Sequence, residues 1–327
     1  MTSTALRTIL VASPRGFCAG VSYAIDIVNL VLDHYGPPVY VRHEIVHNRH
    51  VVEKLRARGA RFVEDLSDVP SGSLLIFSAH GVSPAVRQDA RTRGLRVIDA
   101  TCPLVTKVHL EALHYARDDF DILLVGHRGH VEVEGTLGQA SDRIRLVETA
   151  EDVAQVQVRD PDRVAVVTQT TLSVDDTRAV IEAIRRRFPN VHTPKKDDIC
   201  YATQNRQMAV KELARQSDLV LVIGSPTSSN ANRLVEVAAH QGVAAQLIEQ
   251  PSDIDPSSLA GVGVIGLTAG ASTPEALVQQ TISALQDLGC SEVRDLTMAE
   301  ESVTFPLPRE LRTLTSASPQ KNGSLPP

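Results

Sequence analysis

A short apolar run, a loop of small polar residues and an amphipathic helix follow one another repeatedly along the chain, and this alternation confines the fold more than any other feature. Thr8-Ile9-Leu10-Val11-Ala12 leads to a loop ending at Cys18 and a helix from about Ala19. In that helix Val21, Ile25, Val28 and Leu32 fall near one face, and Gly36-Pro37-Pro38 stops it. Leu74–Phe77 runs into Ser78-Ala79-His80-Gly81, Arg96–Ala100 into Thr101-Cys102-Pro103, and Ile122–Val125 into Gly126-His127-Arg128-Gly129-His130. Val164–Val167 leads to Thr168-Gln169-Thr170-Thr171, Leu219–Ile223 to the segment Gly224–Asn230, and Val262–Leu267 to Thr268-Ala269-Gly270-Ala271-Ser272. Strands alternating with helices in this way predict βαβ units and parallel sheets. The fold class is therefore α/β, with ligands expected in a crevice at the carboxyl ends of the strands.

Composition fits. Aromatics are only 3% and Trp is absent, so Val, Leu, Ile and Ala must build the core. That suits a parallel sheet covered by helices better than an aromatic-rich sandwich. A net charge of −6 argues against a broad nucleic-acid surface. No apolar run is long enough to span a bilayer, and the N-terminal run Ile9–Ala12 is too short for a secretory signal. The chain reads as cytoplasmic, without membrane or nucleic-acid partners.

Four cysteines in a reducing compartment are not a disulfide framework. Cys18, Cys102 and Cys200 each precede a predicted helix, at roughly domain-sized intervals, which implies three α/β modules where length alone implies about two. A thiolate ahead of a helix sits at the positive end of the macrodipole beside free N–H groups, and both lower its pKa. Three converging helix starts would gather three soft ligands about one point. Structural zinc wants four closed ligands, often from C-x-x-C pairs, and none exists here. Three thiolates suit a [4Fe–4S] cluster whose fourth iron is left open. Cys290, at a helix end, reads as structural.

Two motifs mislead. His43-Glu44-Ile45-Val46-His47 matches the H-E-x-x-H zinc pattern, which needs both histidines one turn apart on a helix. Here Val39-Tyr40-Val41 reads as a strand, and Asn48 as the cap of a helix starting after His47. On an extended segment the histidines would stand about 13 Å apart. Gly261-Val262-Gly263-Val264-Ile265-Gly266 matches G-x-G-x-x-G, but its Val and Ile residues make it the strand itself, not the turn opening a helix.

Longer motifs then carry a resemblance. Gly16-Phe17-Cys18-Ala19-Gly20-Val21, Val46-His47-Asn48, Ser78–Pro84 and Asp99-Ala100-Thr101-Cys102-Pro103 run in the order of one family. So do Gly126–Gly135, Thr168–Thr177, Asp197–Asn205 and Ser228-Ser229-Asn230. Over roughly residues 8 to 300 the sequence closely resembles the hydroxymethylbutenyl diphosphate reductases, the terminal iron–sulfur enzymes of the methylerythritol phosphate route to isoprenoids. The resemblance implies three similar α/β modules in a pseudo-threefold clover around one central [4Fe–4S] cluster held by Cys18, Cys102 and Cys200. It implies two-electron removal of the substrate's allylic hydroxyl, giving isopentenyl and dimethylallyl diphosphates. Glu132 would supply the proton, and Thr170 would lie beside the substrate hydroxyl. His47, His80, His130, Ser228, Ser229, Asn230 and Ser272 would bind the diphosphate. The electron donor is expected to be a ferredoxin or flavodoxin.

The modules are expected at residues 1–102, 103–196 and 197–303, with a disordered tail over 304–327, where Pro and Ser accumulate. Glu134 could point away from Glu132 if that stretch is extended. A non-catalytic iron–sulfur redox sensor is the alternative, although sensing needs no diphosphate pocket.

Overall fold

The computed structural model describes residues 7–194 and 196–312. In chain order these fold as β1 Arg7–Ser13, α1 Ala19–Tyr35, β2 Val39–Arg42, α2 Arg49–Ala57, β3 Ala60–Val63, β4 Leu74–Phe77, α3 Pro84–Thr92, β5 Arg96–Asp99 and α4 Pro103–Arg117. Then come β6 Asp121–Val125, α5 Val131–Leu137, β7 Ile144–Val147, α6 Ala150–Gln155, β8 Val164–Thr168, α7 Val174–Arg187 and α8 Tyr201–Arg215. The last are β9 Leu219–Ile223, α9 Ser229–His240, β10 Ala244–Ile248, β11 Val264–Ala269, α10 Glu275–Asp287, β12 Cys290–Thr297 and α11 Arg309–Arg312.

The strands form three sheets, ordered β3-β2-β4-β5, β7-β6-β8 and β10-β9-β11-β1-β12, and every pairing is parallel. The continuous apolar runs of β4, β6, β8 and β9 are buried along their whole length, as strands covered on both faces must be. Local signals set the helix starts. Asn48 accepts from Val51 N to cap α2, and Ser83 accepts from Val86 N ahead of Pro84. The His43–His47 stretch is a loop, with φ 59° at His43, so the two histidines do not share a helix turn. Gly266 lies inside β11, where a side chain would collide with Leu213 and Ser217, so its role is close packing of α8 on the sheet.

The module boundaries differ from the expected ones at the start of the chain. β1 does not belong with residues 39–99 but sits in the third sheet between β11 and β12. Its core face packs with α8 and β9, whereas α1 covers the β2–β5 sheet and α4 covers the β6–β8 sheet. The chain thus crosses from the third module to the first through Cys18, from the first to the second through Cys102, and returns to the third through Cys200. Cys290 opens β12 opposite Arg7 and is buried in the third module's core.

The tail expectation also needs correction over residues 304–312. Phe305 stands edge-on to Tyr23 with centroids 6.3 Å apart, Leu307 lies against the first module's core, and Leu311 is fully buried within it. Spaced apolar residues among the prolines supply the burial that composition hid. The remainder, 313–327, lies outside the described residues. Leu311→Ala should lower unfolding free energy by about 2–4 kcal/mol; denaturant curves matching wild type would show that this segment does not pack there.

Candidate functional site

Cys18, Cys102 and Cys200 are the N-caps of α1, α4 and α8, and none uses its side chain to cap the helix. Instead each is held by its backbone. Cys18 N donates to Ala271 O at 3.1 Å, Cys102 N to Ala79 O at 3.0 Å and Cys200 N to Thr170 O at 3.1 Å. Each thiol is thereby pinned to a strand-end loop beside or at one of the polar residues singled out from the sequence. All three line one cavity with about 100 Å³ of open space. A methyl group on Gly20 would stand 2.5 Å from Cys102 Sγ and 3.9 Å from Cys18 Sγ, so only glycine leaves the sulfurs room.

The electrostatics correct one expectation. Helix-start N–H groups of Leu104 and Val105 do pull the Cys102 thiol down, but burial outweighs them and pushes it up to about 12, with Cys18 and Cys200 adding to the rise. Burial likewise raises Cys200 to about 11, and proximity to Cys18 adds to it. Free of ligand, both are neutral thiols, and a cation is needed to make thiolates there. Among the described residues no three His, Cys, Asp or Glu side chains gather closely enough for a single metal ion. Three sulfurs around a small cavity, rather than around one point, fit a polynuclear centre better than a mononuclear one.

Glu132 opens into the same cavity. The stretch around it is not extended: α5 begins at Val131, so Glu132 turns inward at 3% exposed while Glu134, two residues on, faces solvent. Its carboxylate is held at both oxygens, by Thr170 N at 2.7 Å and Thr170 Oγ1 at 2.9 Å. Burial raises its pKa to about 7 despite those two bonds, which pull the other way, and Asp198 adds a smaller upward push. The carboxyl is therefore poised near neutrality.

Three imidazoles line another part of the wall. The His47 and His80 rings stack at 4.1 Å between centroids, with His130 edge-on at 5.4 and 6.0 Å. Burial, then His47 and His130, hold His80 well below the usual imidazole range; burial, then His47 and His127, take His130 down to about 3. His130 Nδ1 accepts from Glu132 N, which fixes its tautomer, and His47 Nε2 is buried without a partner among the described residues.

Ser228, Ser229 and Asn230 form the start of α9, where Ser228 caps Ala231 N and free N–H groups favour an anion. Asn230 Oδ1 accepts from Ala271 N at 2.8 Å, and Ser272 Oγ donates to His47 O at 2.8 Å. The latter bond joins the third module to the first. Every residue selected from the sequence as a candidate thus lines this one cavity. Sequence reading missed Thr171 and Thr203. Thr171 Oγ1 bonds Ser229 Oγ at 3.1 Å, and Thr203 Oγ1 lies 3.2 Å from Cys200 Sγ. The signal for Thr203 was its position, three residues past an N-cap and so on the same face of the helix.

Soft donors on one wall and anion-seeking donors on the other mark an α/β protein that joins a thiol cradle to an anion pocket. Comparison with known proteins narrows this. The family profile described as LytB protein matches residues 9–286. A 4-hydroxy-3-methylbut-2-enyl diphosphate reductase from Azoarcus sp. (strain BH72) is 59% identical over 304 residues, 93% of this chain and 97% of that one. One from Bordetella pertussis is 60% identical over 303 residues, 93% of each. The solved E-1-hydroxy-2-methyl-but-2-enyl-4-diphosphate reductase of Plasmodium falciparum superposes with TM-score 0.92 at 40% identity, covering 95% of this chain and 98% of that one. The chain belongs to the LytB family.

An anion entering beside neutral imidazoles favours their protonated forms. Inorganic pyrophosphate should therefore bind with proton uptake, and its affinity should fall from mildly acidic to mildly alkaline pH. Calorimetry in buffers of different ionisation enthalpy reads both; pH-independent binding without uptake would show that the anion meets neutral N–H donors rather than imidazoliums.

Proposed function

We infer that this chain reduces 4-hydroxy-3-methylbut-2-enyl diphosphate, the substrate in its relatives' names, and that the products are isopentenyl and dimethylallyl diphosphates. It is an oxidoreductase of the methylerythritol phosphate route. The observation that carries the reading is the convergence of three N-cap thiols, a buried acid and an anion-binding wall on one cavity. Cys18, Cys102 and Cys200 would hold one [4Fe–4S] cluster, and its chemistry when bound is one-electron delivery beside an open iron. A ferredoxin or flavodoxin would supply the electrons. No helix among the described residues is long and apolar enough to cross a membrane.

The reaction consumes two electrons and two protons and releases the allylic oxygen as water. His47, His80 and His130 donate to the diphosphate from one side, and Ser228, Ser229, Asn230 and Ser272 from the other. Anchoring that end fixes the direction in which the alcohol end points. Glu132 holds a proton where the hydroxyl must leave, and the Thr170 hydroxyl, already bonded to Glu132 Oε2, lies beside the departing oxygen. Water is excluded because Glu132 and Thr170 are both buried. A redox sensor would have no use for this polar wall.

Anaerobic turnover of the substrate with a reduced viologen tests the reading; a cluster-loaded protein without turnover would favour the sensor. Each of Cys18→Ser, Cys102→Ser and Cys200→Ser should abolish most of the brown absorbance, while Cys290→Ser keeps it. Full absorbance in any of the first three contradicts the ligand set.

Glu132 must be protonated to act, and its raised pKa keeps it so below about 7. The rate should fall as pH rises through that value. The sign for stability is the same, since a folded-state pKa above the ordinary one contributes stability at low pH that is lost as pH rises through about 7. Glu132→Gln should keep cluster and substrate binding but lose turnover by a factor on the order of a hundred or more. Near-normal rates in this variant would remove the acid role.

A further inference from the structure

Each cysteine stands where the chain passes from one module to the next, so the distance between two sulfurs is set by how firmly a module holds the chain entering one cysteine to the helix leaving another. Two side chains outside the cavity each tie the helix that one cysteine begins to the chain leading into another. Arg206, on the helix that Cys200 begins, is 0% exposed yet charged. Its Nε and Nη2 donate to Gly16 O at 3.2 and 2.8 Å, two residues ahead of Cys18. Its Nη1 donates to Ala202 O at 2.9 Å and to both Glu301 oxygens at 3.0 and 3.2 Å. Lys107, on the helix that Cys102 begins, donates to the carbonyls of Lys196 and Asp197 at 2.8 and 3.3 Å and to Asp198 Oδ1 at 2.9 Å. Asp198 is itself buried, and its other oxygen accepts from Thr168 N.

We propose that Arg206 and Lys107 are positioning residues for the metal centre: two cationic clamps that hold the Cys18 and Cys102 segments at fixed distances from the Cys200 segment. The third side of the triangle needs no clamp, because Gly20 lets the Cys18 and Cys102 sulfurs approach directly. Several features distinguish the clamps from ordinary surface pairs. All three nitrogens of the Arg206 fork donate, to partners from three stretches of chain, so its charge enforces geometry as well as attraction. Lys107 takes two carbonyls and a carboxylate from Lys196, Asp197 and Asp198, two to four residues ahead of Cys200. A cradle held open in this way before loading spares the centre the cost of ordering three loops on assembly.

This inference rests on the cluster reading above. The test is anaerobic reconstitution of Arg206→Gln, Lys107→Met, Lys107→Arg and Glu301→Gln beside wild type. Iron release to a chelator, the electron paramagnetic resonance line of the reduced protein and the melting temperature of the iron-free protein are then measured. Arg206→Gln and Lys107→Met should release iron on the order of tenfold faster and broaden the resonance line. Lys107→Arg keeps charge and reach, and Glu301→Gln keeps an acceptor for the guanidinium, so both should stay near the wild-type rate. Lys107 is half-buried at the protein's edge, so its variants remain informative if Arg206→Gln does not fold. Wild-type release rates and an unchanged line in Lys107→Met would overturn the proposal, as would variants that lower only the iron-free melting temperature. A wild type that takes up no iron and sulfide would overturn the cluster reading, and this one with it.

Discussion

Three backbone hydrogen bonds, one from each N-cap cysteine to a neighbouring loop, are what the rest of the site depends on. A parallel strand must hand the chain to a crossover helix, and the first N–H groups of that helix have no intrahelical partner. In most helices a side chain satisfies one of them. Here the cysteine at the cap position turns its thiol into the cavity, while its own N–H reaches a carbonyl of Ala271, Ala79 or Thr170. Since the chain changes module at each of these points, the same three bonds that place the sulfurs also hold the modules around a common centre. A cysteine in the middle of any strand or helix could do only one of these things.

Burial then sets the charge state of the cavity, and it does so in one direction throughout. Cys102, Cys200 and Glu132 are pushed toward their protonated neutral forms, and His80 and His130 toward their deprotonated neutral forms. The free protein therefore avoids isolated charges in a place with little water to solvate them. Under the proposed function, charge would enter only in compensated sets, thiolates with metal and imidazoliums with diphosphate. The acid between them stays near neutrality because its two bonds from Thr170 oppose burial without cancelling it. On that reading the cavity would lose protons on taking up one guest and gain them with the other.

Much of this was legible along the chain because the signals were local. The strands at residues 74–77 and 219–223 and the cap at Asn48 follow from apolar runs and side-chain chemistry within a few residues. The three cysteines declared themselves by recurring at helix starts. What stayed hidden was non-local. Nothing near Thr8 says that its strand pairs with β11 and β12, more than 250 residues away in sequence, because a fully apolar strand fits any parallel sheet equally well. The lowered thiol pKa expected from the helix dipole was reversed by burial, which depends on what other modules place overhead. The packed segment 304–312 was masked by its prolines, although Phe305, Leu307 and Leu311 were there to be read. Glu132 and Glu134 could be separated only once the stretch was known to be helical.

Thr170 shows why the individual roles in such a site resist separation. Its carbonyl accepts from Cys200 N, its N–H donates to one Glu132 oxygen and its hydroxyl to the other. One residue at a strand end thus fixes a ligand cysteine, orients the acid and presents a hydroxyl to the cavity. The backbone bonds survive almost any side-chain change, whereas the hydroxyl bond does not. The placement of Cys200 beside Glu132 is accordingly written in the main chain, and the hydroxyl contact to the acid in one side-chain oxygen. That division lets a side-chain change alter the bond to the acid while the cysteine keeps its place, which a site built wholly from side chains would not allow.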